Sequence, residues 1–451
     1  STVALHLANH GIRVQLYEAS GGLVNGPPVC HLHAGGNLYR DISEDQCVKL
    51  LEESVAMCRF YPGCMNLRPT VLAVPTSDAG KPEDLLPRLR RLQAAYEGMV
   101  QRDAENGVLG PPRDYYRLYG RAQLEELSQR EMVPVPGTPD EWLIPFAHSV
   151  DLGQLKYPVA LVQEYGVSIF RVAATAELVL RRTPGVEVRL NTVVTDVVPC
   201  GDGFRLHTAD GADRVDYVVN ACGYRTGTVD NMLCLPRSRY VEYKAAYVAY
   251  WPAAAAQLWP EIIIHGERGT PKGMAQFTPY ADGFVQLHGM TPDITLFDQG
   301  LARSGVRDAQ PRLPPQFSPL LRGEWDEAVV ESRTQRAVQH LAQHMPSFAT
   351  AVPGGRPWAG AQQVPGDDPS LRAADVTFGE RYARAEIVKA SSAITVACEI
   401  LQHMVANYVP VNMARAITTT PTSPPAPVRT WPSLPQIESA ARKLAVKRGY
   451  P

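Results

Sequence analysis

Two arginines near the end of the chain have the residue type and the spacing to hold a small carboxylate. Arg381 and Arg384 flank Tyr382, and the apolar run that follows, 385–405, predicts a buried helix. At a helix start, positions three apart share one face, and a guanidinium can meet a carboxylate with two parallel hydrogen bonds. The alternative interpretation is that both arginines pair with neighbouring glutamates on the surface.

Two histidines are candidate catalytic bases. An imidazole changes its charge near neutral pH, so His33 and His288 could each take a proton from a substrate. The alternative for either residue is a structural histidine whose hydrogen bonds are satisfied within the fold. The sequence shows no Ser-His-Asp arrangement and no cluster of metal ligands, and we predict no metal site.

The first twenty residues have the pattern of half a dinucleotide-binding unit. Residues 2–9 have helical spacing, Gly11 ends the helix, and 12–17 is a short apolar strand that leads to Glu18. A carboxylate at this strand end is suited to binding ribose hydroxyls, although a solvated side chain is the simpler alternative. No G-x-G-x-x-G precedes the helix in this sequence, which begins at Ser1.

The elements that must position these groups follow from apolar periodicity and turn residues. Helices are predicted at 43–59, 82–105, 122–130, 155–165, 173–182, 325–344 and 434–448. Strands are predicted at 167–171, 186–190, 192–199, 204–208 and 215–220, and alternating antiparallel strands over 237–290. Their order predicts an α/β nucleotide-binding unit that is interrupted by an antiparallel sheet.

Composition limits the partners and the compartment. The 451 residues carry a formal net charge of −2, which argues against nucleic acid as a partner. With 45% hydrophobic and 20% charged residues, general disorder is excluded. The eight cysteines form no C-x-x-C pair and are typical of reduced thiols in a cytoplasmic protein. No apolar run reaches the roughly 20 residues that cross a bilayer, and peripheral membrane contact stays open.

Taken in order, seven segments resemble the glutathione-reductase-type FAD proteins and, within them, the D-amino-acid-oxidase superfamily. These segments are STVALHLANHGIRVQLYEAS (1–20), HAGGNLY (33–39), GVEVRLNTVVTDV (185–197), VDYVVNACGYRTG (215–227), FTPYADGFVQLHG (277–289), PGDDPS (365–370) and ERYARAEIVKASSAITVACEIL (380–401). The resemblance covers about residues 1–408, and malate:quinone and other hydroxyacid dehydrogenases are closest in style.

The resemblance implies an α/β fold in which a glutathione-reductase-type FAD domain, with an incomplete N-terminal βαβ unit, is interrupted by an antiparallel-sheet substrate domain. The implied FAD-domain parts are 1–70, 166–230 and 346–415; the inserted parts are 71–165 and 231–345; a Pro-rich tail with a short helix occupies 416–451.

The resemblance also implies cofactor contacts. These are Glu18, Gly35, Gly36, Asn37, Val194, Ala221, Gly223, Asp367 (or Asp368), Ile387, Val388 and Lys389. The backbone N–H groups at 384–389 would open the predicted helix toward the reduced flavin. Alternatives are a plain turn for the paired glycines, a core side chain for Val194, and a turn-stabilising role for either aspartate.

The expected activity is FAD-dependent oxidation of a small hydroxy acid or amino acid by hydride transfer to the flavin, with quinone or oxygen as electron acceptor. Because a phosphate-binding loop does not precede the first helix, we expect weaker FAD binding, and a non-catalytic flavoprotein-like scaffold is the alternative. A third interpretation, an NAD-only enzyme, is disfavoured by the inserted antiparallel sheet.

Overall fold

The computed structural model describes residues 1–24, 42–371, 374–409 and 431–450. Its helices are α1 Thr2–Asn9, α2 Glu44–Phe60, α3 Leu86–Arg102, α4 Arg121–Leu127, α5 Pro139–Ser149, α6 Ile169–Leu180, α7 Thr226–Met232, α8 Phe317–Leu321, α9 Glu327–Ala342, α10 Ala393–Asn407 and α11 Leu434–Lys447. Its strands are β1 Val14–Tyr17, β2 Met65–Asn66, β3 Thr70–Pro75, β4 Tyr116–Tyr119, β5 Leu155–Val162, β6 Gly166–Val167, β7 Val186–Arg189, β8 Asp196–Cys200, β9 Gly203–Thr208, β10 Gly211–Val215, β11 Val218–Asn220, β12 Arg239–Tyr250, β13 Glu261–Ile264, β14 Ala275–Pro279, β15 Phe284–Gly289, β16 Leu301–Arg303, β17 Val352–Pro353, β18 Trp358–Pro365, β19 Asp375–Gly379 and β20 Tyr382–Glu386.

Short parallel sheets form one side of the molecule. β1 pairs in parallel with β7, and β11 pairs in parallel with β20, whose other edge pairs with β19. Ala383 and Ala385 of β20 share one hydrophobic core with Val3 of α1 and Ile400 of α10. The small alanines let two helices approach the strand closely, so α1 and α10 pack against the same strand.

One large, mostly antiparallel sheet forms the other side. Its strands follow the order β16-β12-β15-β14-β13-β3-β5-β4, and β17 and β18 also pair with β12. One face is apolar throughout and packs on α4, α5 and α9 through residues such as Phe277 and Leu341. On the opposite face, Leu72 and Ile263 pack against α2 and α3. The rest of that opposite face carries the polar side chains described below.

The predicted helix over 155–165 is wrong, because this segment forms β5. The strand lies between β3 and β4 with hydrogen bonds to both, and its second half is buried. A strand that is covered on both faces shows a continuous apolar run, which periodicity does not distinguish from a buried helix. The predicted strand over 167–171 is also largely wrong, since Ser168 caps α6 by accepting a hydrogen bond from the Arg171 N–H at 3.3 Å.

The predicted helix over 385–405 contains two different elements. Its first residues belong to β20, a turn follows at Ala390–Ser392, and α10 begins only at Ala393. Alanines have no strand signal of their own, so pairing with β11 and β19 decided their conformation. The remaining predicted helices and the hairpins over 186–220 are confirmed within a few residues. Within the described residues, no helix is long and apolar enough to cross a membrane.

Candidate active site

The carboxyl ends of β1 and β11 lie near each other. Glu18 follows β1, and its Oε1 accepts a hydrogen bond from the Ser20 N–H at 2.8 Å. Tyr17 at the end of β1 packs in the same hydrophobic cluster as Val218 of β11, and Cys222, just after β11, is exposed. Glu18 and the 221–223 segment therefore face one edge of the molecule, as ligand sites of parallel sheets do.

This edge has room for a ligand at Gly223. The residue adopts φ +58°, and a Cβ placed there would meet no atom within 4 Å. Val194 is half-buried and packs in the same hydrophobic cluster as Tyr17 at the end of β1. The structure thus brings Glu18, Val194, Ala221 and Gly223 into one region, whereas His33, Gly35, Gly36 and Asn37 lie outside the described residues.

The segment after β20 is held by the large sheet. Gln362 of β18 donates its Nε2–H to the Val388 carbonyl at 2.7 Å, and Gln363 donates to the Ile387 carbonyl at 3.5 Å. The following turn is held by Ser392, whose hydroxyl donates to the buried Glu53 carboxylate at 2.5 Å. Burial raises the pKa of Glu53. The 387–389 segment is therefore fixed at the junction between the parallel strands and the large sheet.

Arg384 lies in a buried group of charges, which we call the Asp230 cluster: Asp230, Arg237, Arg239, Arg384 and Glu386. Arg384 Nε donates to both Asp230 oxygens at 2.8 Å, and Arg239 binds Asp230 as well. Glu386 faces Arg239 Nε at 2.8 Å and Arg237 Nε at 3.1 Å. Asp230, Arg239 and Glu386 have no exposed surface. The guanidinium of Arg384 is therefore bound to protein carboxylates.

The expectation that Arg381 and Arg384 share one pocket is not supported by this geometry. Both residues belong to the β19–β20 hairpin and not to a helix start, and residues three apart on a strand point to opposite faces. Arg381 is in the turn at φ +51°, with its guanidinium carbon 4.9 Å from the centre of the Tyr408 ring. Tyr382 is buried and donates its hydroxyl hydrogen to Asp230 at 2.8 Å. Burial raises the pKa of Tyr382.

The polar face of the large sheet lies beside the 387–389 segment. Lys244 Nζ is 2.6 Å from Glu242 Oε2 and donates to Gln362 Oε1 at 3.1 Å. One side chain, Gln362, thus separates this ammonium from the Val388 carbonyl. Arg268 also binds Glu242, so two cations share one carboxylate. A positive region next to a fixed loop is a suitable place for an anionic substrate group.

His288 lies on this same face. It is half-buried, stands opposite Gln276 in the β14–β15 pairing, and its Nδ1 is 3.3 Å from the Thr295 hydroxyl. The two aspartates that were expected near the cofactor have other roles in the described residues. Asp367 is exposed and binds Arg303 and Ser238, and Asp368 accepts from the Ser370 N–H at 2.8 Å in a turn.

Lys244, Gln362 and Gln363 were missed by sequence reasoning. The available signal was a polar residue recurring every second position in an otherwise buried strand, as Glu242 and Lys244 do in YVEYKAAYVAYW. Such residues point to one face of the sheet. Buried polar residues on an inner face are more informative about a site than exposed ones.

The amino-acid sequence matches the profile of the FAD dependent oxidoreductase family over residues 1–384. The chain belongs to this family. The resemblance to FAD-dependent oxidoreductases that the sequence segments indicated and the predicted α/β fold class are thereby confirmed. The protein is an FAD-dependent oxidoreductase. No curated protein sequence matches the chain significantly.

Solved structures of this FAD-dependent oxidoreductase fold resemble the chain over nearly its whole length. Glycine oxidase from Geobacillus kaustophilus has a TM-score of 0.55 and 13% identity, with 95% of each chain covered. NikD, an unusual amino acid oxidase of nikkomycin biosynthesis, has a TM-score of 0.56 and 17% identity, covering 92% of this chain and 93% of its own. L-proline dehydrogenase from P. horikoshii has a TM-score of 0.53 and 13% identity, covering 89% and 90%. At such low identities these likenesses show the fold alone.

The described residues of the oxidoreductase are compatible with FAD. A carboxylate follows β1, a left-handed glycine with open space follows β11, and a fixed peptide segment follows β20. Among the residues that the structure describes, no group of His, Cys, Asp and Glu could hold a metal ion.

Proposed function

We propose that this FAD-dependent oxidoreductase oxidises a small carboxylate-bearing amino acid or hydroxy acid at the carbon that carries the amine or hydroxyl. Bound FAD supplies the acceptor for the hydride that leaves this carbon. The main support is family membership combined with the cationic, polar sheet face beside the 387–389 segment. Glycine oxidase, NikD and L-proline dehydrogenase are named for amino acid substrates, which favours an amino acid over a hydroxy acid.

The cofactor is proposed to follow the ends of the parallel strands. Glu18 would accept hydrogen bonds from ribose hydroxyls, and the backbone of Val194 would face the adenine. Ala221 and Gly223 would contact the middle of the cofactor, where the missing Cβ of Gly223 leaves space. Ile387, Val388 and Lys389 would face the flavin, held in place by Gln362 and Gln363.

The substrate carboxylate is proposed to bind Lys244. Arg384 is neutralised by Asp230, and Arg381 lies at the opposite end of β20 from Ile387. Lys244 is half-buried, points onto the polar face and contacts Gln362. An ammonium binds a carboxylate as a point charge and so sets less orientation than a guanidinium does. Gln276 and His288 on the same face would supply the remaining orientation.

His288 is proposed to accept the proton from the substrate amine or hydroxyl. The β12–β15 pairing ends at Tyr247 and Leu287, so His288 is the next residue along β15 and lies toward the part of β12 that carries Lys244. A neutral imidazole can take a proton near pH 7. The loss of this proton leaves a lone pair on the substrate nitrogen or oxygen, which favours departure of the hydride from the adjacent carbon.

The test is reduction of bound flavin in the purified holoprotein under anaerobic conditions. A panel of amino acids and matched hydroxy acids is mixed with wild type, Lys244→Met, Lys244→Arg and, as control, Arg381→Ala, and bleaching of the flavin is followed. Loss of a charge partner in a closed site costs about 2–5 kcal/mol, so we expect Lys244→Met to lower kcat/KM at least 30-fold for the best substrate. Lys244→Arg should retain part of the rate, and Arg381→Ala should be unchanged.

Two outcomes would contradict the proposal at different levels. If no amino acid or hydroxy acid bleaches the flavin, the substrate class is wrong. If one does and Lys244→Met reacts at the wild-type rate, only the lysine assignment is wrong. Admitting oxygen or a soluble quinone to the reduced protein then identifies the electron acceptor, since the flavin colour returns only with the competent oxidant.

A further inference from the structure

The helix α11 is docked on the fold, although it lies outside the part of the chain that matches the family profile. Ile437 and Ala441, one helical turn apart, are both buried, and the helix packs on α6. Residues four apart on a helix share one face, so an apolar stripe seats α11. Glu438 adds an ion pair, because its Oε1 lies 3.2 Å from Arg171 Nη1 of α6. The position of α11 is therefore fixed by apolar and charged contacts together.

The basic end of α11 binds the chain that follows β1. Residues 18–24 are called the β1 loop here. Lys447 Nζ donates to the Gly21 carbonyl at 2.7 Å, and the guanidinium of Arg448, the residue after α11, donates to the Val24 carbonyl. Hydrogen bonds from a charged donor are stronger than those between neutral groups. Two such bonds, three residues apart, hold the second half of the β1 loop against the helix.

The first half of the β1 loop is the edge where the cofactor is proposed to bind. It begins at Glu18, and the Ser20 carbonyl accepts a hydrogen bond from the Asn191 N–H of the loop after β7 at 3.0 Å. β1 and β7 are parallel neighbours, and parallel sheets bind ligands outside the carboxyl ends of their strands. A Cβ on Gly21 would lie 2.9 Å from Lys447 Nζ and 3.1 Å from Asn191 Oδ1. The end of α11 thus meets both loops at this edge.

The residues after α11 attach it to the large sheet. The Tyr450 ring packs against Phe170 of α6 and Trp358 of β18, with ring centres 6.0 Å and 5.0 Å apart. β18 is also the strand from which Gln362 holds the 387–389 segment. An aromatic contact of this kind anchors the chain end through buried apolar area. The helix therefore connects the β1 loop with the sheet that positions the proposed flavin segment.

We propose that α11 is a clamp that retains FAD by fixing the β1 loop beside the adenosine half of the cofactor. Lys447 and Arg448 are positioning residues, since they act through backbone carbonyls of the loop. A loop that is already held in its binding conformation has less conformational freedom to lose, so the cofactor binds more tightly and leaves more slowly. This inference rests on the proposed position of FAD at Glu18 and does not depend on the substrate.

The first experiment measures how fast FAD leaves the purified holoprotein. The protein is diluted into a large volume of flavin-free buffer, and released FAD is separated by rapid filtration and measured by its fluorescence. We expect Lys447→Met and Arg448→Met each to raise the dissociation rate at least threefold, and the double variant at least tenfold. Lys447→Arg keeps a charged donor and should stay within twofold of wild type. Lys443→Met removes the same charge from an exposed position of the same helix and should change nothing.

The second experiment measures amide hydrogen exchange in the same holoproteins, which reports on the loop itself. Exchange at 21–24 should accelerate at least fivefold in the double variant. Exchange in β12, which lies in the large sheet, should stay at the wild-type rate. Acceleration at both places by the same factor would indicate general destabilisation and would contradict a local clamp.

The two readouts together decide the proposal. If FAD leaves the double variant at the wild-type rate, or if Lys443→Met releases FAD as fast as the double variant does, α11 does not retain the cofactor. Faster release with unchanged exchange at 21–24 would equally refute an action through the β1 loop. If release and exchange both change as expected while no amino acid or hydroxy acid bleaches the flavin, the clamp stands and the proposed substrate class fails.

Discussion

The Asp230 cluster and the group of Arg68, Tyr280, Gln286 and Trp358, which we call the Tyr280 cluster, are both buried polar groups, but they differ in how closely their charges are paired. In the Asp230 cluster, the guanidiniums of Arg239 and Arg384 lie at ion-pairing distance from carboxylates, although the buried Nε and Nη1 of Arg239 make no hydrogen bond of good geometry within the described residues. In the Tyr280 cluster, three donors (Arg68 Nε, Gln286 Nε2 and Trp358 Nε1) face no acceptor among the described residues. Matched charges hold strands and helices together, whereas unmatched donors are stabilised only when something else binds them.

The difference shows why residue type alone is a poor guide to a binding site. Arg384 has the expected side chain for a carboxylate, yet a carboxylate of the protein already occupies it. Arg68 is equally buried, and its nearest carboxylate oxygen, on Glu261, is 3.7 Å away. An arginine is available to a ligand only when the fold leaves part of its donor set unused.

The largest effect is expected from removing one negative charge from the Asp230 cluster. Asp230→Asn leaves Arg239 and Arg384 buried beside a neutral amide. Removing one partner of a buried ion pair costs about 3–5 kcal/mol, so the free energy of unfolding should fall by that amount in urea titrations of the holoprotein. The control is Asp367→Asn in the exposed pair with Arg303, which should show no measurable change. Equal stability of Asp230→Asn and wild type would show that these charges are not a structural pair.

A buried histidine beside the parallel strands tests what an unpaired polar group contributes to stability. His6 of α1 is 3% exposed, and burial, followed by the charge of His10, lowers its pKa from 6.5 to about 4. Between these values the unfolded chain binds a proton that the folded chain does not, so stability is complete above pH 6.5 and is lost as pH falls toward 4. The shift corresponds to about 3 kcal/mol in total.

Replacing this imidazole should therefore flatten the pH dependence. In urea unfolding, the free energy of unfolding of wild type should fall between pH 7 and pH 5 by about 2 kcal/mol more than that of His6→Leu. The two proteins should differ by a constant amount at pH 7.5 and above, where neither state of wild type is protonated at His6. Parallel curves from pH 8 to pH 5 would contradict the assignment of this slope to His6.

The smallest expected effect comes from the hydrogen bond between the large sheet and the 387–389 segment. Gln362→Leu removes the hydrogen bond to the Val388 carbonyl, and a single neutral hydrogen bond contributes about 1 kcal/mol. Unfolding free energy should fall by about this amount, and amide hydrogen exchange at 387–389 should accelerate. Gln129→Leu on the surface is the matched control. Unchanged exchange at 387–389 would mean that the large sheet does not hold this segment.

Local signals in the sequence were sufficient for much of the fold. Ser43 predicts the start of α2, and its hydroxyl does accept from the Gln46 N–H at 3.2 Å. The glycine-containing turns at 200–203 and 208–211 predict the β8–β10 hairpins, which are confirmed. Caps and tight turns depend on residues within four positions of each other, so they can be read without knowledge of the rest of the chain.

The sequence by itself determined the order of the elements that is typical of the family. A helix, a strand and an acidic residue open the chain, a parallel strand follows at 218–220, and an antiparallel sheet is inserted. What only the tertiary structure decided was the conformation of 155–162 and 382–386 and the partners of the arginines. Arg384 meets Asp230 from 154 residues away, and β20 is a strand because β11 and β19 flank it. Periodicity records which residues are apolar, but strand pairing and ion pairing depend on segments that become neighbours only after folding.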